Sequence, residues 1–67
     1  MASQPSDDAI PFAVELRRVG APTRVLGRGA TPMLAVAIFE AALAAYPGER
    51  VVLICGADIM RDSQVTS

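Results

Sequence analysis

One segment of this chain has strong helix boundaries and almost no charge. The Thr-Pro pair at residues 31–32 predicts a helix start, because a threonine N-cap accepts a hydrogen bond from an unpaired N–H and proline fits the first helical position. The Pro-Gly pair at residues 47–48 ends the segment, because proline disfavours helical geometry in the residue before it. The sequence therefore predicts one helix that runs to about Tyr46, with Glu40 as its only charged residue.

Short strands are predicted on both sides of this helix. Apolar and polar residues alternate over residues 12–17, which is the period of a half-buried strand, and residues 24–28 return beside it as the second strand of a hairpin. Residues 49–55 form a strand with a continuous apolar run, which indicates cover on both faces. Residues 59–62 predict a short edge strand, where charged side chains discourage further pairing.

The order β-β-α-β-β predicts a small α+β domain with an antiparallel-rich sheet and one helix on one face. If the helix connects the second strand to a third strand that lies beside the first, the sheet order is 2-1-3-4. Two hairpins flanking the helix also fit this pattern. The domain covers residues 11–62, and the polar segments 1–10 and 63–67 are predicted to be flexible tails.

The residue inventory argues against catalysis and metal binding. The 67 residues include one cysteine and no histidine, so the chain has neither an internal disulfide, nor a Cys/His zinc site, nor a Ser-His or Cys-His catalytic pair. Cys55 lies in the most apolar predicted strand, where a thiol behaves as a small buried hydrophobe. We therefore expect no enzymatic activity, no cofactor and no bound metal.

Several features also predict a cytoplasmic protein. A single cysteine fits a reducing compartment, and the polar, acidic residues 1–8 do not resemble a secretory signal. The longest apolar stretch, residues 33–46, is interrupted by Glu40 and is shorter than the roughly 20 residues that a membrane-spanning helix needs. We expect no membrane association.

The predicted helix is apolar around nearly its whole circumference. A helical projection places seven larger or apolar residues on one wide arc: Leu34, Val36, Ile38, Phe39, Ala42, Leu43 and Tyr46. The remaining sector contains Met33, Ala37, Glu40, Ala41 and Ala44. A helix that is apolar all round is usually buried all round, and the strand at residues 51–55 also needs cover on its second face.

These apolar surfaces predict a homodimer that acts through protein–protein contact, as an accessory or regulatory module. The candidate interface residues are Ala37, Ala41 and Ala44 on the helix, and Val52 and Ile54 on the sheet. The sequence leaves open whether the helix face, the sheet face or a swapped hairpin forms the dimer. A different protein is the alternative partner.

A second hypothesis is a dimeric nucleic-acid-binding protein. Four of the six arginines lie on the first predicted hairpin: Arg17, Arg18, Arg24 and Arg28. A basic two-stranded ribbon can contact phosphates or enter a major groove. The net charge of −1 and the lack of interleaved aromatic residues favour a solvated strand face instead.

Overall fold

The computed structural model describes residues 11–64, which form one α-helix and one four-stranded sheet. The elements are β1 (Phe12–Arg17), β2 (Arg24–Gly29), α1 (Pro32–Ala45), β3 (Arg50–Cys55) and β4 (Asp58–Asp62). The predicted order of elements is confirmed, and their bounds agree with the predicted ones to within one residue. The tail predicted at residues 1–10 lies outside the described residues.

The sheet has the order β2-β1-β3-β4, and all three strand pairs are antiparallel. The predicted order 2-1-3-4 is confirmed, and the separate hairpins are not observed because β1 pairs with both β2 and β3. Val14 lies opposite Gly27 of β2, and the next pair is Glu15 with Val25. Leu26 is therefore the extra residue of a β-bulge, and its side chain packs against the core.

Helix α1 begins and ends as the sequence predicts. The backbone N–H of Leu34 donates to Oγ1 of Thr31 at 3.2 Å, and Pro32 occupies the first helical turn. At the other end, the N–H of Tyr46 donates to the carbonyl of Ala42 at 2.8 Å. These hydrogen bonds fix the two ends of the helix.

The hydrophobic core lies between α1 and one face of the sheet. Its buried members are Val14, Leu16, Ala35, Phe39, Ala42, Val51 and Leu53. Within residues 11–64, α1 contacts β1, β2 and β3 but not β4. The helix therefore lies towards the β2 side of the sheet.

The face that α1 buries differs from the predicted arc. Ala35 is fully buried, whereas Leu34 is 54% exposed and Leu43 is 37% exposed. The reason is Gly29: a Cβ atom there would lie 2.8 Å from the backbone nitrogen of Ala35, so only glycine permits this close approach. The side of the helix at Ala35 therefore faces the sheet, and Leu34 and Leu43 lie on either side of it.

Of the tail predicted at residues 63–67, Ser63 and Gln64 belong to the described residues, and residues 65–67 lie outside them. The backbone N–H of Ser63 donates to the carbonyl of Val51 at 2.9 Å, and its hydroxyl accepts from the N–H of Val51 at 2.8 Å. The same hydroxyl donates to the carbonyl of Glu49 at 3.1 Å. Ser63 thus fixes the end of β4 to the start of β3.

Candidate interaction surface

The sheet face away from α1 is covered by two ion pairs. On β1, Arg17 donates through Nε and Nη2 to Oε1 of Glu15, at 3.2 and 2.9 Å. Between β3 and β4, Arg50 donates through Nε and Nη2 to the carboxylate of Asp62 over 2.6–3.2 Å. We call these four residues the ionic layer. Together they lie over the central part of this face, whose margins expose Val25 and Ile59.

Val52 lies beneath the ionic layer. It sits opposite Glu15 on one side and Asp62 on the other, so its side chain shares their face. Although α1 covers the other face, Val52 is 0% exposed. The aliphatic stems of arginine cover apolar surface while the guanidinium stays in water. The continuous apolar run of β3 is thus covered on both faces within one chain.

Asp62 is the most buried charged group of the ionic layer. Its side chain is only 6% exposed. The hydrogen bonds from Arg50 lower the pKa of Asp62, and the N–H of Gln64 and the charge of Arg17 act in the same direction, against the opposing effect of burial. The same contact raises the pKa of Arg50. Both Asp62 and Arg50 are therefore charged at neutral pH.

The candidate interface residues lie on two different surfaces. Ala37 and Ala44 are exposed on the side of α1 away from the sheet, and Ala41 is exposed on the side of α1 towards β2. Val52 is fully buried and Ile54 is half-buried, both on the face of the ionic layer. The structure thus separates the helix residues from the sheet residues.

The outer surface of α1 is apolar and exposed. Met33 is 82% exposed, and Leu34 and Leu43 lie at the two margins of the buried face. Glu40 is the only charged residue between Pro32 and Ala45. In this helix, a large part of the apolar surface therefore faces solvent.

An apolar groove continues this surface towards the edge of the sheet. It has a volume of about 230 Å³ and lies between α1 and β2. Its lining consists of Leu26, Ile38, Ala41, Ala42, Ala45 and Tyr46. The sequence analysis did not single out Leu26 or Ala45, because the groove depends on the β2 bulge and on the position of the helix.

The four arginines of the nucleic-acid hypothesis do not form one patch. Arg28 lies opposite Ala13, on the ionic-layer side, and Arg24 lies opposite Leu16, on the helix side. Arg17 lies four residues beyond Ala13 on β1, which is about 13 Å at 3.3 Å per residue. The hairpin therefore presents its positive charge on two faces and at two ends.

Two of these arginines meet a third that the sequence analysis did not select. Arg17, Arg18 and Arg50 line a shallow pocket of about 380 Å³ at one end of the sheet. Each arginine is held by a carboxylate, and Nη2 of Arg18 lies 2.7 Å from Oε2 of Glu49. These charges balance locally, so the pocket is polar without a strong positive field.

Among residues 11–64 no cluster of metal-ligating side chains is present. Cys55 is a free, half-buried thiol at the end of β3. No group of three or more Cys, Asp or Glu residues in the 11–64 range is arranged to hold a metal ion. Helix α1, the helix of this range, is too short to cross a membrane.

Comparisons with known proteins add no functional information. No protein-family model matches this chain, and neither a curated protein nor a solved structure matches it. A functional proposal therefore depends on the surfaces described above.

Proposed function

We propose that this chain is a non-enzymatic protein–protein interaction module that works as a homodimer. The observation that carries the proposal is the exposed apolar surface of α1, which Glu40 alone interrupts with a charge. Monomeric domains rarely expose large continuous apolar patches, and such patches mark sites of protein contact. The helix contributes 14 of the 67 residues of the chain.

The opposite side of the molecule supports the choice of the helix. The ionic layer covers Val52 at the centre of the sheet, so the exposed apolar residues of that face, Val25 and Ile59, lie at its margins. A partner bound to that face would also remove the charged groups of Arg50 and Asp62 from water, which costs free energy. Among the candidate interface residues, those on α1 therefore fit the proposal better than Val52 and Ile54.

A second copy is the simplest partner for this surface. Two-fold symmetry brings one patch against the same patch of another chain, so an apolar helix can cover itself. The nucleic-acid alternative gains no support, because the arginines of the first hairpin are divided between two faces. We also propose a cytoplasmic location, where Cys55 would remain reduced.

The mass in solution tests this proposal. We expect light scattering over about a hundredfold range of concentration to give about 14 kDa, twice the chain mass of 7.0 kDa, with dissociation only at the lowest concentrations. Ala41→Glu should shift the mass towards 7.0 kDa, because it places an unpaired charge in the contact. A wild-type mass of 7.0 kDa at every concentration contradicts the homodimer.

A further inference from the structure

The outer edge of β2 is basic. Among the described strands β2 pairs only with β1, so its other edge is open for hydrogen bonding. Arg24 and Arg28 are both exposed on this strand, and the chain has no Asp or Glu from residue 16 to residue 39. Within the part of the chain that the structure describes, Arg24 forms no ion pair. A segment that pairs with this edge therefore gains from negative charge.

The opposite edge of the sheet, formed by β4, differs in charge and in shape. Asp58 and Asp62 lie at the two ends of β4, and Arg61 lies between them. Helix α1 does not contact β4 in residues 11–64, so no helix stands beside this edge. Of the two edges, the β2 edge alone combines excess positive charge with a neighbouring helix.

The apolar groove between α1 and β2 adjoins the β2 edge. A strand added to this edge would lie about 5 Å outside β2, which is the separation of paired strands. The helix stands close above β2, because a Cβ atom on Gly27 would lie 2.9 Å from Cγ2 of Ile38. Ile38, Leu26 and Tyr46 line the groove. A side chain on the helix side of the added strand would therefore enter an apolar environment.

The two arginines of β2 lie on opposite faces of the sheet. Arg24 is opposite Leu16, on the helix side, and Arg28 is opposite Ala13, on the ionic-layer side. This division does not suit one phosphate-binding patch, but it suits a strand, whose successive side chains point to opposite faces. Their partners on β1 are three positions apart. Two acidic residues three positions apart in an added strand would therefore each face one arginine.

We propose that the β2 edge binds an extended acidic peptide segment of a partner protein as an added antiparallel strand. Its two acidic residues face Arg28 and Arg24, and an apolar residue directly after the first acid occupies the groove. In this mode of recognition, main-chain hydrogen bonds supply affinity and alternate side chains supply selectivity.

The proposed strand site goes beyond the proposed homodimer and does not depend on it, because the site lies within one chain. Ala37 and Ala44, on the side of α1 away from the sheet, remain accessible to a second copy. Ala41 lines the groove and lies at the border between the two surfaces.

Three synthetic peptides separate strand addition from charge attraction. The probe is a fluorescein-labelled peptide with the central sequence Thr-Glu-Leu-Thr-Glu-Thr. We expect its Kd, measured by fluorescence anisotropy with the full chain, to rise with salt and to be at least about tenfold lower than that of the same peptide with glutamine in place of both glutamates. A third peptide keeps every side chain but has N-methylated backbone amides. It should not bind, because it lacks the N–H donors of a strand.

Arginine variants of the chain provide a matched comparison of the two edges. We expect Arg24→Gln and Arg28→Gln each to raise the Kd of the glutamate peptide about fivefold, because each removes one charge that faces an acid. Arg61→Gln removes an exposed arginine from β4 and should leave the Kd within about twofold of the wild type. All three side chains are exposed, and circular dichroism checks that the variants fold.

Amide hydrogen exchange with and without the glutamate peptide locates the site. We expect the peptide to increase protection of the β2 amides and to leave the β4 amides unchanged. Equal Kd values for the glutamate and glutamine peptides, binding of the N-methylated peptide, or protection of β4 instead of β2 would overturn the proposal. So would the absence of glutamate-peptide binding up to about 1 mM.

Two further results distinguish this site from the homodimer. Protection of β2 that increases with protein concentration in the absence of peptide would place a second copy at this edge and overturn the peptide site. A monomeric mass by light scattering, together with selective binding of the glutamate peptide, would support the peptide site and contradict only the homodimer.

Discussion

The two faces of the sheet are closed by different means. On one face, α1 buries Val14, Val51 and Leu53 by apolar packing. On the other, arginine stems and paired carboxylates cover Val52 without a second layer of secondary structure. A chain with a single helix can thus bury both sides of its central strand. The exposed apolar surface therefore lies on the helix and, on the sheet, at the margins, where Val25 is 43% and Ile59 is 46% exposed.

Substitutions of adjacent residues in β3 test this difference most strongly. Leu53 faces α1 and is 1% exposed, whereas Ile54 faces away from the helix and is half-buried. We expect Leu53→Ala to lower the free energy of unfolding by about 2–5 kcal/mol, which is a large share of the roughly 3–10 kcal/mol available to a chain of this length. Ile54→Ala should cost about 1 kcal/mol, because less of its side chain leaves water.

Urea denaturation of the two variants at one protein concentration checks this prediction. A fixed concentration is necessary because association contributes to apparent stability. Equal losses in Leu53→Ala and Ile54→Ala would mean that both faces are packed alike. That result would contradict the contrast between an apolar face and an ionic one.

Lowering the pH tests the face of the ionic layer, and we expect a smaller loss of stability there than for Leu53→Ala. Arg50 lowers the pKa of Asp62 below its ordinary value of 3.8, so the folded state favours the carboxylate. The resulting stability is fully present above the unfolded pKa and is lost as the pH falls through the folded pKa. We expect Asp62→Asn to be less stable than the wild type at pH 7, with a difference that shrinks below about pH 4.

Asp58 at the other end of β4 is the matched control for this titration. Asp58 is exposed, and no ion pair to it is formed within residues 11–64. Asp58→Asn should therefore change the midpoint of urea denaturation little at either pH. If Asp62→Asn were as stable as the wild type at pH 7, the pair with Arg50 would not stabilise the sheet.

Most of the fold was predictable because local signals agree with each other. The N-cap at Thr31 and the alternation in β1 each define an element, and the crossover rule then gives the strand order β2-β1-β3-β4. The continuous apolar run of β3 correctly indicates a strand covered on both faces. These features depend on residues that are close together in the sequence.

The surfaces were harder to predict because they depend on contacts between distant residues. The pair of Arg50 with Asp62 arises from the register of β3 and β4, so residue spacing alone does not reveal that Val52 is already covered. The burial of Ala35 depends on Gly29, which a helical projection ignores. The apolar groove between α1 and β2 likewise forms only when the helix is placed on the sheet.

Amide hydrogen exchange at low and high protein concentration most directly tests where this chain associates. We expect the amides of α1 to become more protected at high concentration, because the proposed contact covers the exposed apolar surface of the helix, while the amides of β4 exchange at the same rate at both concentrations. Protection that increases in β4 and not in α1, or exchange in α1 that does not depend on concentration, would contradict association through the helix.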